Sequence, residues 1–157
     1  MVRRIVGLTA ALILGLSLPS NAQTAASPRS EVMAVVRQFV DAFNKGDVNA
    51  MSATCANEVA IIDEFPPHEW HGAGACAQWA HAFDTDAKQN GITDPVVTLG
   101  KPTHVDVTGD QAYVVEPADY AYKAKGKPVK EVGSIITLAL HREATGWRIT
   151  GWAWAKH

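Results

Sequence analysis

Six apolar residues between positions 32 and 43 recur at intervals of three and four, which is the spacing of one face of an α-helix. Ser27 followed by Pro28 is typical of a helix start, and Gly46 is typical of a helix end. The pattern predicts an amphipathic first helix whose apolar face contributes to the core. That face consists of Val32, Val35, Val36, Phe39, Val40 and Phe43.

Two shorter elements are predicted next. Asp47 can cap a second, short helix. The apolar side of this helix carries Val48, Met51 and Cys55. Residues 59–63 have the β-branched composition of a short strand, and we expect Asp63 to be its last residue.

A third helix is predicted after a loop that contains Pro66 and Pro67. Residues 72–90 have a helical period, and Gly91 is the expected stop. The inward positions of this helix are Cys76, Trp79, Ala80, Phe83 and Ala87.

The second half of the chain is predicted to form β-strands. Residues 96–107, 111–125, 129–142 and 147–156 are long strand-like runs that short turns separate. Turns of hairpin length predict a sequential antiparallel sheet. Three helices and a short strand followed by such a meander indicate an α+β fold, in which the helices cover one face of a strongly bent sheet.

The N-terminal residues 1–22 have the pattern of a secretory signal peptide. Two arginines precede an uncharged apolar run at 5–18, and small residues precede the expected cleavage site at Ala22. The run is too short to span a bilayer comfortably, so we expect a periplasmic or secreted protein with no membrane segment after cleavage. Residues 23–29 are interpreted as a tether to a single domain at 30–157.

Composition and charge narrow the class of protein. The 157 residues are 47% hydrophobic and 19% charged, as in an ordinary globular domain. Without the first 22 residues the chain keeps 12 basic and 16 acidic side chains, a net charge of about −4, so nucleic-acid binding is not expected. In an oxidising compartment Cys55 and Cys76 can form a disulfide; two buried free thiols are the alternative.

Residues 35–47, with the sequence VVRQFVDAFNKGD, resemble the first helix of SnoaL-like and ketosteroid-isomerase-like proteins of the nuclear transport factor 2-like superfamily. The resemblance continues through residues 56–59, Asp63 and Gly72. It implies a cone-shaped α+β barrel, in which helices pack on a strongly curved, mainly antiparallel sheet that encloses one pocket, commonly in a homodimer. This fold hosts several kinds of enzyme and also non-catalytic modules, so it does not define an activity.

The resemblance implies roles for three positions. Ketosteroid isomerases abstract a proton with an aspartate and stabilise the oxyanion with a tyrosine and a protonated aspartate. Asp63 takes the place of the base, but Phe39 takes that of the tyrosine, and Leu138 falls at or next to that of the second aspartate. Because both oxyanion donors are missing, steroid isomerisation is not expected.

Asp63 and Glu116 are the candidate carboxylates. Asp63 follows an apolar strand, so its pKa would be raised if it faced the pocket; otherwise it begins a solvated loop. Period-2 alternation places Glu116 on one face of its strand with Val114, Ala118, Tyr120 and Tyr122. That face either lines the cavity, giving a carboxylate pair near a tyrosine donor, or leaves Glu116 exposed to solvent.

Two histidines lie close behind Asp63. The resemblance places His68, Trp70 and His71 in a loop near the pocket mouth. A histidine there could assist Asp63 in proton transfer, although ordinary loop histidines are the simpler interpretation. Two histidines three residues apart fix no further ligand, so no metal site is expected.

The last strand alternates small and large residues. The resemblance directs the small side, with Gly151, Ala153 and Ala155, toward the cavity. Trp152 and Trp154 would then face outward, where exposed indoles suit a dimer interface. The opposite assignment makes these two indoles pocket walls.

These features predict an exported protein whose pocket binds a small apolar or aromatic molecule. Any chemistry should be cofactor-free general acid–base catalysis of the lyase or isomerase type, with Asp63 as base and Tyr120 or His68 assisting. A non-catalytic binding or dimerisation module is the alternative, because the oxyanion donors are missing. The predicted pocket residues are Phe39, Trp70, Trp79, Glu116, Leu138 and Ala153.

Overall fold

The computed structural model describes residues 26–157. The predicted signal peptide at 1–22 and the first residues of the predicted tether lie outside the described residues. These residues form three helices and seven strands in a mixed order. They are α1 (Pro28–Asn44), α2 (Val48–Ser52), β1 (Cys55–Ile62), β2 (Glu69–Ala73), α3 (Ala75–Asn90), β3 (Ile92–Leu99), β4 (His104–Thr108), β5 (Gln111–Ala124), β6 (Lys127–Glu143) and β7 (Gly146–Ala155).

Helix α1 confirms the predicted helix and its apolar face. The Ser27 hydroxyl accepts a hydrogen bond from the Ser30 N–H, which caps the helix start. Gly46 follows the helix with a positive φ of 67°, a conformation that glycine adopts without strain. Val32 and Val36 are completely buried, so this helix forms one side of the core.

The segment between β1 and α3 differs from the sequence prediction. Helix α3 begins at Ala75 rather than Gly72, because Gly72 and Gly74 have positive φ values and residues 69–73 pair with β1 as strand β2. Trp70 and His71 therefore lie in a strand and not in a loop. Cys55 is the first residue of β1 and not part of α2.

The sheet has seven strands in the order β2-β1-β7-β6-β5-β3, and β4 also pairs with β5. The pair formed by β1 and β7 is parallel and the other pairs are antiparallel. The predicted strand at 96–107 is interrupted: β3 and β4 lie one after the other along the same edge of β5. Pro102 has no N–H for the ladder, and the break lies between Gly100 and Thr103, whose own N–H groups bond to β5.

The three helices and the concave face of the sheet enclose the hydrophobic core. Leu138 and Ile149 from the central strands are completely buried in it, as is Val114 from β5. A disulfide between Cys55 and Cys76, with a Cα separation of 6.6 Å, links the start of β1 to α3. No helix within residues 26–157 is both long and apolar enough to cross a membrane.

A β-bulge at Thr150 decides which way the end of β7 faces. Ala139 pairs with Gly151 while its neighbour Leu140 pairs with Ile149, so β7 carries one extra residue at this point. The extra residue puts Ile149 and Trp152 on the same side of the sheet.

The interpretation of the small side of β7 as cavity-facing is therefore wrong. Trp152 is buried and Trp154 is half-buried on the concave side. Ala153 alternates with them and faces the convex side, opposite Ile62 and Thr137 on the adjacent strands. The prediction that Trp152 and Trp154 face outward and form a dimer interface is therefore also wrong.

Candidate functional site

A cavity of about 330 Å³ lies between α1, α3 and the concave face of the sheet. This volume is near the lower end of the range for small-molecule sites, about 300–1,000 Å³. Its walls are predominantly aromatic, with a few acidic groups and one lysine. The aromatic lining residues are Phe39, Phe43, Phe65, Trp79, Phe83, Tyr120, Tyr122, Trp152 and Trp154.

Asp63 follows the last residue of β1 and places a half-buried carboxylate in the cavity wall. Its Oδ2 accepts a hydrogen bond from the Trp79 Nε1–H at 2.8 Å, and its Oδ1 accepts one from the Glu64 backbone N–H at 2.6 Å. Burial raises the pKa of Asp63 from 3.8 to about 6, while the two hydrogen bonds oppose this rise. The carboxylate is thus held in place and is a stronger base than an exposed aspartate.

Tyr120 on β5 brings a buried phenol to the same cavity. Its ring packs on Tyr122 with a centroid distance of 4.7 Å, and among the described residues its hydroxyl has no hydrogen-bond partner. Burial raises the pKa of Tyr120 above its usual value, and the carboxylates of Glu131 and Asp63 add to the rise. Tyr120 therefore remains a protonated donor at physiological pH.

A network of charged groups lies at one end of the cavity. The Lys156 ammonium is 3.0 Å from Glu64 Oε2 and 2.8 Å from Glu131 Oε1, and Tyr122 donates to the same Glu131 oxygen at 3.0 Å. These hydrogen bonds, first to Glu131 and then to Glu64, raise the pKa of Lys156. The network joins the loop after β1, the start of β6 and the end of β7.

Four of the predicted site residues line the cavity together: Asp63, Tyr120, Phe39 and Trp79. Phe39 packs against Trp152 with a centroid distance of 5.7 Å. The position that the resemblance assigns to a tyrosine is thus a purely apolar part of the wall. Asp63 and Trp79 also form a hydrogen bond with each other, which the sequence did not indicate.

His68 does not contribute its ring to the cavity. It is exposed, and its Nδ1 lies 3.2 Å from the backbone oxygen of Asp63 rather than from the carboxylate. Its backbone oxygen accepts from the Asp63 N–H at 2.9 Å, so His68 helps to close the loop after β1. The structure therefore corrects the assignment of His68 as a group that assists catalysis.

Trp70, Glu116, Leu138 and Ala153 do not line the cavity either. Trp70 is buried on β2 against Phe65, with a centroid distance of 5.0 Å. Leu138 belongs to the core beneath Trp152, and the bulge in β7 turns Ala153 away. These four residues were wrongly predicted to line the pocket, because their position relative to the cavity depends on how distant strands pair.

Glu116 is buried on the concave side of β5, so the solvent-exposed alternative is wrong. Burial raises the pKa of its carboxyl, and the charge of Arg37 lowers it. Its Oε2 has no hydrogen-bond partner within residues 26–157. It does not form a pair with Asp63 in the cavity wall.

Phe65, Glu131 and Lys156 line the cavity but were not expected to do so. Phe65 lies in the loop after β1, and its ring contacts Trp79 and Phe83. No local pattern marks these residues, because they are brought together by strands and loops distant in sequence. In contrast, the alternation that selected Tyr120 also selected Tyr122, which does line the cavity.

The family profile of the SnoaL-like domain matches residues 32–153. No sequence among curated proteins matches this chain. Solved structures with the same fold do match, and each of those described next aligns with nearly all of residues 26–157.

A nuclear transport factor 2-like protein with a cystatin-like fold from Novosphingobium aromaticivorans has a TM-score of 0.67 and 19% identity, covering 82% of this chain and 81% of that one. A ketosteroid isomerase-like protein from Erwinia carotovora atroseptica has a TM-score of 0.64 and 18% identity, covering 82% and 95%. The CaMKII hub of S. rosetta has a TM-score of 0.67 and 21% identity, covering 84% and 98%. At these identities the likeness shows a shared fold.

Proposed function

Because the chain belongs to the SnoaL-like domain family, we propose that its cavity binds a small, largely aromatic molecule on which Asp63 acts as a general base. The observation that carries this proposal is the Asp63 carboxylate, which is fixed by the Trp79 and Glu64 N–H groups in a wall rich in aromatic side chains. A carboxylate in such surroundings combines a fixed position with increased basicity.

The proposed chemistry is proton abstraction, as in an isomerase or a cofactor-free lyase. With a pKa of about 6, Asp63 is mostly ionised at neutral pH and can still accept a proton from a bound molecule. Tyr120 supplies a protonated hydroxyl from β5, which lies three strands away from β1 in the sheet. The ketosteroid isomerase-like name of one structural neighbour is in keeping with this type of chemistry.

The ring opening of 5-nitrobenzisoxazole tests the base directly. A base removes the proton from C3, the electrons form the nitrile, and the N–O bond breaks to give a coloured phenolate. Wild-type protein should accelerate this reaction, with a rate that rises as pH increases through about 6, because Asp63 must be ionised. Asp63→Asn should lose the acceleration, whereas Asp106→Asn, at an exposed carboxylate on β4, should retain it.

A non-catalytic binding module is the second candidate function. The apolar Phe39 in the wall, where the resemblance assigns a tyrosine donor, favours it. In that case the probe should bind and quench tryptophan fluorescence, yet its ring opening should be no faster than with Asp63→Asn. This outcome would replace the catalytic proposal.

We also propose that the protein is a homodimer that associates through the convex face of the sheet. Ile62, Tyr113 and Ile135 are exposed there by 60%, 46% and 41%, and the small Ala153 lies beside Ile62. A second copy would cover this apolar surface. Light scattering should give a dimer for wild type and a monomer for Ile62→Asp; a monomeric wild type at high micromolar concentration would contradict the proposal.

Export to the periplasm or the medium remains a proposal that rests on residues 1–22. An oxidising compartment would suit the Cys55–Cys76 disulfide. N-terminal sequencing of protein recovered from the periplasm or medium should begin at Gln23. Recovery of the uncleaved chain from the cytoplasm would contradict it.

A further inference from the structure

Two side chains in the cavity wall carry buried hydrogen-bond donors without a partner among the described residues. In the part of the chain that the structure describes, neither the Tyr120 hydroxyl nor the Trp152 Nε1–H has a hydrogen-bond partner. Both residues are more than nine-tenths buried, with 8% and 5% of their surfaces exposed. Buried polar groups in native proteins are nearly always satisfied, so these two donors indicate an occupant of the cavity.

The position of Trp152 is fixed by its neighbours. It pairs with Ile61 on β1 and Leu138 on β6, and the bulge at Thr150 turns it toward the cavity. Its ring meets Trp79 nearly perpendicularly, with a centroid distance of 4.9 Å. The indole N–H is therefore held by packing, and it comes from a different strand than Tyr120.

The charges around the cavity exclude one class of ligand. Asp63, Glu64, Asp86 and Glu131 all line it. Lys156, the one lysine among the lining residues that the structure describes, is already paired with two of them. The excess negative charge would repel an anion. The ligand that satisfies the donors should therefore carry a neutral acceptor.

A cation is disfavoured by a different observation. Glu131 Oε2 is also without a partner among residues 26–157, but its other oxygen is bound by Lys156 and Tyr122. This carboxylate is thus already engaged by groups of the protein. In contrast, the Trp152 N–H and the Tyr120 O–H are bound by no group of the described residues.

We propose that the Trp152 N–H and the Tyr120 O–H recognise the carbonyl oxygen of a neutral, planar aromatic ligand. This inference rests on the proposed ligand-binding function of the cavity and adds the chemical class of the ligand. A volume of about 330 Å³ suits a bicyclic ring system. Because the two polar atoms are now covered, binding must shift the surrounding rings and change the tryptophan fluorescence.

Four bicyclic probes that differ in one substituent test the proposal: indane, 1-indanone, 1-aminoindane and indane-1-carboxylate. Titration calorimetry and tryptophan fluorescence measure their affinities for the wild-type protein. 1-Indanone should bind about 25-fold tighter than indane, the equivalent of about 2 kcal/mol for two added hydrogen bonds. Indane-1-carboxylate should bind more weakly than indane.

Two conservative variants identify the donors. Trp152→Phe and Tyr120→Phe keep most of the ring surface and should each weaken 1-indanone binding about fivefold, while indane affinity stays within about twofold. Trp147→Phe is the matched control, because its ring does not line the cavity and its N–H already donates to Glu31. It should leave the affinities of both probes unchanged.

Equal affinities for 1-indanone and indane would overturn the assignment of a carbonyl ligand while leaving the binding cavity intact. Tightest binding of 1-aminoindane would assign the cavity to a cation instead. An equal loss for both probes in Trp152→Phe would reduce Trp152 to a packing residue. If no probe binds, the ligand-binding cavity itself is refuted, and the ring-opening assay with 5-nitrobenzisoxazole reports separately on the base.

Discussion

Replacing Asp63 by asparagine should change how the stability of this protein depends on pH. In the folded state burial raises the pKa of Asp63 to about 6, whereas the unfolded chain has a value near 3.8. Between these values the folded protein binds more protons than the unfolded chain. The free energy of unfolding therefore falls as pH rises from about 4 to about 6.

The size of this effect follows from the two pKa values. Their difference corresponds to about 3 kcal/mol, at about 1.4 kcal/mol for each pKa unit. Above pH 6 the ionised carboxylate therefore makes the folded state about 3 kcal/mol less stable than a neutral group of the same shape. Below pH 4 this contribution vanishes, because Asp63 is protonated in both states.

Asparagine removes this pH dependence but keeps the shape. Its single carbonyl oxygen can accept from Trp79 or from Glu64, so one of the two hydrogen bonds is lost at a cost of about 1 kcal/mol at every pH. The variant should thus be less stable than wild type by about 1 kcal/mol at pH 4 and more stable by about 2 kcal/mol at pH 7. The sign of the difference reverses within this range.

Urea unfolding followed by tryptophan fluorescence measures the difference. Both proteins are compared from about pH 4 to about pH 7.5 with the disulfide intact, and Asp106→Asn serves as the control for loss of an exposed charge. Other titrating groups cancel in the comparison of variant with wild type. A stability difference that stays constant within about 0.5 kcal/mol, or that changes in the opposite direction, would refute the desolvated position of Asp63.

Three further predictions concern the disulfide, the core and the charged network. Replacing Cys55 and Cys76 by serine should lower the free energy of unfolding by about 3 kcal/mol, because their bond closes a loop with a sequence separation of 21; reduced wild type should match the variant in urea unfolding. Leu138→Ala should cost about 2–5 kcal/mol by leaving a cavity in the core, and thermal unfolding that shows no loss would contradict its complete burial. Lys156→Met should cost less than about 1 kcal/mol, because the ammonium is half-exposed, and a larger loss that persists at high salt would show that its pair with Glu131 is stronger than expected.

The local pattern of the chain was sufficient for several elements. The apolar stripe from Val32 to Phe43 defines α1 because a helix repeats every 3.6 residues, whatever lies around it. The same kind of reasoning placed Asp63 at the end of a short strand, one residue beyond the last residue of β1, and put Tyr120 with Tyr122 on one face of β5. Together with the resemblance, these patterns predicted the α+β fold and two of the polar groups in the cavity.

The tertiary structure decided the rest of the site. The extra residue at Thr150 reverses the alternation of β7, so that Trp152 enters the cavity wall, whereas the resemblance directed it outward and the sequence left both assignments open. A bulge is set by pairing with a neighbouring strand, and no period within β7 reveals it. Likewise Glu131 and Lys156 meet only because the sheet brings the start of β6 to the end of β7. The sequence by itself determined α1 and the approximate positions of the long strands, because their periodicity is local. The pairing of distant strands determined that residues 69–73 form β2 and which side chains face the cavity.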